Sequence, residues 1–428
     1  MHFRGVVGYL TIVGLCYVLS SNRCAIKWRP VIWGLGLQFA LAALVLNPVA
    51  GEIAFSWIDR VISALLACAD AGVDFLFTST QKHQVMIFDP VTDQPVTQTV
   101  IGHMSPVLKN FAFSILPVVI FFSALTTLLY HAGIMQRVVS GMSKLMRRAL
   151  GTSGAETLSA TANIFVGQTE APLLIRPFIE KMTRSELFSV MVCGFATVAG
   201  AALGMYVGIL RHIPGIAGHL VTASIMAAPG ALALAKIVEP EVGSPVTAGD
   251  VELSLESEHA NAIDAISSGA TEGMKLVLNM AAMLVAFVSM VALINALLGM
   301  IPLGNDSVLS IERMLGWFFA PLAWLMGVPW HEAGPLGVLL GEKLVLTELI
   351  AYIHLGEQSA IFSPRTSVIG SYALCGFANL ASVGIQLGGI GAMAPSRRGD
   401  LARLGLKSMF IGTLVSCMSA TLAGLLTR

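Results

Sequence analysis

The chain has 428 residues, 55% hydrophobic and 12% charged, with 25 Lys plus Arg against 25 Asp plus Glu and hence zero formal net charge. An ordinary soluble domain carries about 25% charged residues, and one this apolar could not cover its own surface with polar groups. A soluble enzyme and a disordered chain are excluded, and so is a nucleic-acid binder, which needs a basic face. What remains is a multi-span protein of the lipid bilayer.

Eight runs free of Asp, Glu, Lys and Arg are long enough to cross a bilayer, which takes about 20 residues. They are 5–22, 30–51, 110–136, 187–210, 212–235, 276–305, 366–396 and 408–427. They are continuously apolar rather than alternating, which excludes a strand-based barrel. The first run lies behind Arg4, and no small-residue cleavage site follows it, so it reads as a span rather than a signal peptide. Between the second and third runs, Ile53–Phe77 is apolar but carries Asp59, Arg60, Asp70 and Asp74, the pattern of a helix lying in the membrane interface. Thr78–Lys109 is polar, contains Pro90, Pro95 and Pro106, and is expected to be an outer loop or short helix. Glu239–Glu258 is acidic and reads as a cytoplasmic loop.

Cytoplasmic loops concentrate Lys and Arg. Arg23, Lys27 and Arg29 follow the first run, Arg137, Lys144, Arg147 and Arg148 the third, and Arg397, Arg398 and Arg403 the seventh. Placing all three clusters inside puts both termini outside, and eight crossings satisfy that arrangement.

Shorter apolar pieces lie between the long runs. Thr157–Thr169 is followed by Ala171–Ile175, and Met314–His331 by Ala333–Gly341; each pair leads to a glutamate, Glu170 or Glu348. Two re-entrant helical hairpins account for them, because irregular backbone at membrane depth must be buried in protein or line a cavity. The chain also echoes itself. Thr169-Glu170 precedes Cys193-Gly194-Phe195-Ala196, and Thr347-Glu348 precedes Cys375-Gly376-Phe377-Ala378. In the topology above the two copies are inverted, and transporters place their substrate site at such a repeat interface.

A carboxylate at mid-bilayer costs roughly 2.5–3.5 kcal/mol on insertion scales and marks a functional candidate. Glu170 and Glu348 are the two such residues, the alternative for each being an internal ion pair, with Arg176 or with Lys343. Asn163, Thr197, Asn379 and Ser382 interrupt apolar runs at matched places in the two halves. One such residue is ordinary interhelical glue; four point to a polar cavity suited to a neutral, hydroxyl-rich substrate such as a sugar or a nucleoside. Phe377 either stacks on a ring or packs. The six cysteines form no CxxC pair and the nine histidines no HExxH, so neither a disulfide framework nor a metal cluster is read.

The stretches Gly167-Gln168-Thr169-Glu170-Ala171-Pro172, Thr347-Glu348-Leu349-Ile350-Ala351-Tyr352, Ala373-Leu374-Cys375-Gly376-Phe377-Ala378-Asn379 and Gly388-Gly389-Ile390 resemble those of the concentrative nucleoside transporter family, bacterial members included. The resemblance extends over essentially the whole chain. It implies an all-α integral membrane protein of eight transmembrane helices, two re-entrant hairpins in an inverted repeat and one interfacial helix, assembled as a homotrimer in the inner membrane. It implies a transporter rather than an enzyme, carrying nucleosides with a sodium ion as coupling ion and no organic cofactor. Transport parts (about 1–52, 137–271 and 306–428) would move like an elevator against scaffold parts (about 53–136 and 272–305). By motif position, Gln168, Thr169 and Glu170 would contact the nucleobase, and Glu348, Asn379 and Ser382 the ribose, with Phe377 beside them. Sodium would fall on the Asn163 side chain, the Val166 carbonyl, the Thr197 hydroxyl and the Val198 carbonyl, oxygen donors of the kind a hard cation takes. Thr347 stands where many members have Asn, Leu349 where Phe is common and Ala381 where Ser is frequent, which bears on selectivity among nucleosides. The alternatives are proton coupling and an intramembrane enzyme using Glu170 and Glu348 as acid and base.

Overall fold

The computed structural model describes residues 2–46, 48–77, 83–88, 95–100, 111–247, 259–300, 309–358 and 361–427. The chain opens with three helices, α1 (His2–Val18), α2 (Trp28–Val45) and α3 (Pro48–Phe77). Two antiparallel strands follow, β1 (His83–Phe88) and β2 (Pro95–Val100), with His83 opposite Val100 and Phe88 opposite Pro95. A loop or short helix was expected there. The β-branched and aromatic residues Val85, Ile87, Phe88, Val96, Thr97, Thr99 and Val100 favour an extended backbone, and this short pair is set in an otherwise helical chain.

Helices resume with α4 (Val118–His131), entered through a π-helical turn Phe111–Ile115, and α5 (Ile134–Leu150). Next come α6 (Gly154–Ala162), α7 (Glu170–Leu173), α8 (Arg176–Ile179), α9 (Arg184–Ala196), α10 (Gly200–Ile209) and α11 (Ile216–Val238). The chain then continues through α12 (Ala262–Leu298), α13 (Ile311–Leu325), α14 (Trp330–Val345), α15 (Glu348–Glu357), α16 (Pro364–Leu374), α17 (Leu380–Met393) and α18 (Arg398–Leu426).

Six helical stretches among the described residues are long and apolar enough to cross a membrane, and Arg4–Val18 and Leu380–Met393 are shorter apolar helices. The chain is thus a multi-pass membrane protein. Two charge-free runs are not single helices. The run 187–210 breaks between α9 and α10, and 366–396 breaks between α16 and α17. The second Cys-Gly-Phe-Ala copy therefore lies in an unwound link, whereas the first closes α9. Met314–His331 is mostly α13, a helix packed beside α14, so the two arms before and after Thr347-Glu348 are α14 and α15. Pro329 sets this boundary by capping α14.

Burial separates inner from outer helices. In the most apolar window of α12 only 11% of residues are buried, against 89% in α11 and 83% in the segment containing α18. The stretch α9–α11, α16 and α18 form the centre, and α12 lies at the periphery against α4. At one end of the bundle the Lys236 ammonium is 2.8 Å from Glu156, 3.4 Å from Glu241 and 3.0 Å from Ser185 Oγ, all of them buried or nearly so. Glu156 and Glu186 complete the capping boxes that start α6 and α9. Glu239 takes Arg184 at 2.8 Å and Lys407 at 3.3 Å. The first part of the acidic loop thus ties helix ends together, while its continuation, 248–258, lies outside the described residues.

Candidate functional site

Two helix–turn–helix units and two broken helices converge at the centre. In the first unit α6 ends at Asn163, a turn runs to Thr169, and Glu170 begins α7. In the second unit α14 ends at Leu346, and Thr347 precedes α15, which begins at Glu348. Each broken helix stops and restarts on extended residues, Thr197 and Ala199 in one and Cys375 and Asn379 in the other. Gly376 has φ +102°, a conformation that side chains beyond glycine disfavour. A Cβ there would also lie 2.6 Å from the Phe195 carbonyl oxygen. Phe377 N–H donates to the Thr197 carbonyl at 3.3 Å, so the two breaks are bonded to each other.

Glu348 is buried and sits where the breaks meet. Tyr206 donates its phenolic hydrogen to Oε1 at 2.7 Å, and Asn379 donates from Nδ2 to Oε2 at 2.8 Å. The polarity of Asn379 is fixed by its other end, because Oδ1 accepts from Ser382 N–H at 2.7 Å and so caps α17. Ser382 is buried with it. The expected alternative of a Glu348–Lys343 ion pair is not what the structure shows. Lys343, fully buried, donates to the carbonyls of Ala373 (3.0 Å) and Cys375 (2.9 Å) and to Ser416 Oγ (3.2 Å). Its ammonium caps the C-terminus of α16, where the helix dipole is negative.

On the facing side Gln168 is buried, and its Oε1 accepts from Gln386 Nε2 at 3.0 Å. Thr169 is half-buried beside it, and its methyl packs on α17. Glu170 stands apart from Glu348 in character: its side chain is exposed, and no ion pair to Arg176 exists among the described residues. Phe377 is half-buried against the apolar core.

Asn163 is fully buried, and neither Oδ1 nor Nδ2 has a partner among the described residues. An amide left this way costs roughly 1–3 kcal/mol per unsatisfied group. Gly200 N–H donates to the Phe165 carbonyl at 2.9 Å, which holds the turn carrying Val166 against the break carrying Thr197 and Val198. Thr197 Oγ1 gives its hydrogen to the Cys193 carbonyl at 2.9 Å and so has its lone pairs left over. An orphaned amide oxygen, a hydroxyl oxygen and two backbone carbonyls on adjoining segments fit a hard monovalent cation without a buried carboxylate.

Tyr206 and Gln386 were not singled out from sequence. Gln386 carries a legible signal, since it stands four residues after Ser382 and seven after Asn379 on an otherwise apolar helix. Tyr206 has none: one aromatic residue in a span looks like any other.

Family models described as Na+ dependent nucleoside transporter match residues 7–80 (N-terminus) and 219–424 (C-terminus), and one described as nucleoside recognition matches 112–212. The uncharacterized transporter YutK of Bacillus subtilis is 42% identical, over 98% of both chains. Human sodium/nucleoside cotransporter 1 is 39% identical over 98% of this chain, which spans 63% of the human protein's length. Among solved structures, CNTnw in an inward-facing substrate-bound state superposes with a TM-score of 0.86 at 40% identity, covering 100% of this chain and 99% of that one. A variant of CNTnw in an outward-facing state gives 0.86 at 38% identity, over 99% and 97%. The chain is a membrane transporter rather than an enzyme, and it belongs to the Na+-dependent nucleoside transporter family.

Proposed function

We propose that this chain imports nucleosides by secondary active transport coupled to an inward sodium gradient. The observation that carries this reading is Glu348, a buried carboxylate held by the neutral donors Tyr206 and Asn379, with no ion pair among the described residues. A carboxylate oxygen pair has about four acceptor sites; Tyr206 and Asn379 each take one, and the remaining capacity serves the neighbouring hydroxyls of a ribose. Asn379 and Ser382 flank it, and Phe377 supplies an apolar edge. Gln168 and Thr169, with Glu170 at the mouth, contact the base. Sodium is held by Asn163, Val166, Thr197 and Val198, and it supplies the charge whose gradient drives uptake; the partnerless Asn163 amide supports that assignment over proton coupling, because an amide has no proton to release near neutral pH.

The breaks in α9–α10 and α16–α17, with α6–α8 and α14–α15, form one body that slides as an elevator. In this reading residues 1–52, 137–271 and 306–428 move, and 53–136 and 272–305 form the scaffold of a homotrimer, with α12 providing outward apolar surface. The inward- and outward-facing states of CNTnw support such a movement. The same reading has eight spans, two re-entrant hairpins (α6–α8 and α14–α15) and α3 as interfacial helix, with both termini outside the inner membrane on the strength of the basic clusters assigned to the cytoplasm.

Uptake of radiolabelled uridine into proteoliposomes tests the proposal. Accumulation should require an inward sodium gradient and be competed by nucleosides but not by nucleobases or sugars. Uptake that ignores sodium and follows a pH gradient refutes the coupling; lack of nucleoside competition refutes the substrate.

A further inference from the structure

Gln386 belongs to none of the recurring motifs, yet it is the residue that touches Gln168. It is fully buried on the face of α17 that carries Ser382. Its Nε2 lies 3.0 Å from Gln168 Oε1 and 3.2 Å from the carbonyl oxygen of Met191 in α9. The polarity of this chain of groups follows from chemistry. A backbone carbonyl only accepts, so the Gln386 atom facing Met191 is the amide nitrogen. That NH2 has only hydrogens to give, so the Gln168 atom beside it is the carbonyl oxygen. The Gln168 NH2 is the other branch of the same planar amide, and it is turned away from Gln386.

An unbraced glutamine shows either end of its amide by a half-turn about its last torsion, whose profile is broad and roughly two-fold. Braced by Gln386, Gln168 presents one polarity. The surroundings are shaped for the contact. A Cβ at Gly194 would lie 2.5 Å from Gln386 Nε2 and 3.1 Å from Gln168 Cβ, so the glycine of the first Cys-Gly-Phe-Ala copy makes room for the amide pair. Gln386 Oε1 is buried without a partner among the described residues. A methionine would fill the same volume without that unsatisfied oxygen, so the amide is present for its NH2.

We propose that Gln386 is a specificity-determining residue: it fixes Gln168 as a hydrogen-bond donor, so that the site selects nucleosides whose base offers an acceptor to that NH2. The inference rests on Gln168 lying in the base site. Uridine and cytidine differ in where they donate and accept while sharing ribose and size, and adenosine and inosine form a second such pair.

The test measures kcat/KM for these four nucleosides and for 2′-deoxyuridine in proteoliposomes of the full-length protein, comparing wild type, Gln168→Ala and Gln386→Met. Base ratios that Gln168→Ala alters should shift in the same direction in Gln386→Met, by about three- to tenfold, the size of one oriented hydrogen bond. The ratio of 2′-deoxyuridine to uridine, read at Glu348, and the sodium dependence should stay as in wild type. If Gln386→Met is not recovered from membranes, Gln386→Asn, one carbon too short to span Met191 and Gln168, gives the same comparison. Base ratios moved by Gln168→Ala but left within twofold by both Gln386 variants overturn the inference and leave the base site standing. Ratios that Gln168→Ala itself leaves unchanged overturn both.

Discussion

Glu348→Gln separates the charge of the central carboxylate from its shape. Asn379 Nδ2 can only donate, since its Oδ1 is taken up by Ser382 N–H at 2.7 Å. The new amide must therefore turn its oxygen to Asn379 and its NH2 to Tyr206, whose phenolic oxygen can accept. Both neighbours keep a bond to the new side chain, the cost being the Tyr206 hydroxyl hydrogen, which loses its acceptor, and the variant is expected to fold. What changes is the pair of acceptor sites facing the ribose. A hydrogen bond to a charged group contributes about 1.5–3 kcal/mol and a neutral one about 0.5–1.5. The loss is then roughly 1–1.5 kcal/mol per hydroxyl, or about 2–3 kcal/mol for two, which raises KM for uridine by about 30- to 150-fold. Concentration-dependent uridine uptake in proteoliposomes measures it, with the melting temperature in detergent as a check on folding. Removing a hydroxyl from the substrate should cost less in the variant than in wild type, the coupling expected of directly interacting groups. A folded variant whose KM stays within twofold of wild type would show that Glu348 does not hold the ribose.

Three further outcomes follow from the same geometry. Asn163→Ala removes the amide oxygen assigned to sodium and should raise the sodium concentration for half-maximal uptake by tenfold or more, about 1.4 kcal/mol; an unchanged sodium curve places the ion elsewhere. Gly376→Ala puts a Cβ at φ +102° and 2.6 Å from the Phe195 carbonyl oxygen. It should cost about 3 kcal/mol or more and sharply lower the yield of folded protein, a result contradicted by a wild-type melting temperature. Lys343→Met loses three bonds from a buried ammonium together with the desolvation of that charge, each worth several kcal/mol, so stability should shift by only about 1–2 kcal/mol. With its carbonyl left to the Ser416 hydroxyl alone, Cys375 is held less firmly, which should nonetheless raise KM for uridine about tenfold; a large fall in melting temperature with unchanged KM would contradict this.

The bilayer made much of the architecture legible, because charge is so costly at depth that its absence marks spans and its presence marks exceptions. Glu348 was visible for that reason, as were the paired Thr-Glu and Cys-Gly-Phe-Ala stretches. Partner choice was not visible. Lys343 lies five residues before Glu348 and reads as its counter-ion, but the end of α14 carries the ammonium to the C-terminus of α16, whose open carbonyls compete for it. Tyr206 reaches Glu348 across 142 residues of sequence, a pairing that helical periodicity cannot express. The strands β1 and β2 were missed for another reason: proline and polarity suggested a loop, while their β-branched residues carried the weaker, context-dependent signal.

The two halves of the repeat do not build two half-sites that merely face each other. Gln168, from the first half, is oriented by Gln386 from the second, which in turn leans on Met191 of the first. Glu348, from the second half, is held by Tyr206 of the first and Asn379 of the second. Gly194 and Gly376, at the same place in the two copies of one motif, each admit a group from the opposite half: the Gln386 amide in one case and the Phe195–Ala196 backbone in the other. Gln168 and Glu348, one group for each end of the substrate, are thus each oriented through a contact that crosses the repeat boundary. A displacement of one half against the other by even 1 Å would break the Tyr206–Glu348 bond of 2.7 Å and the Gln386–Gln168 bond of 3.0 Å at once. On the proposed mechanism the breaks and tips would then move as one body with nucleoside bound, and the freedom for alternating access would lie at that body's outer contacts, against α3, α4 and α12.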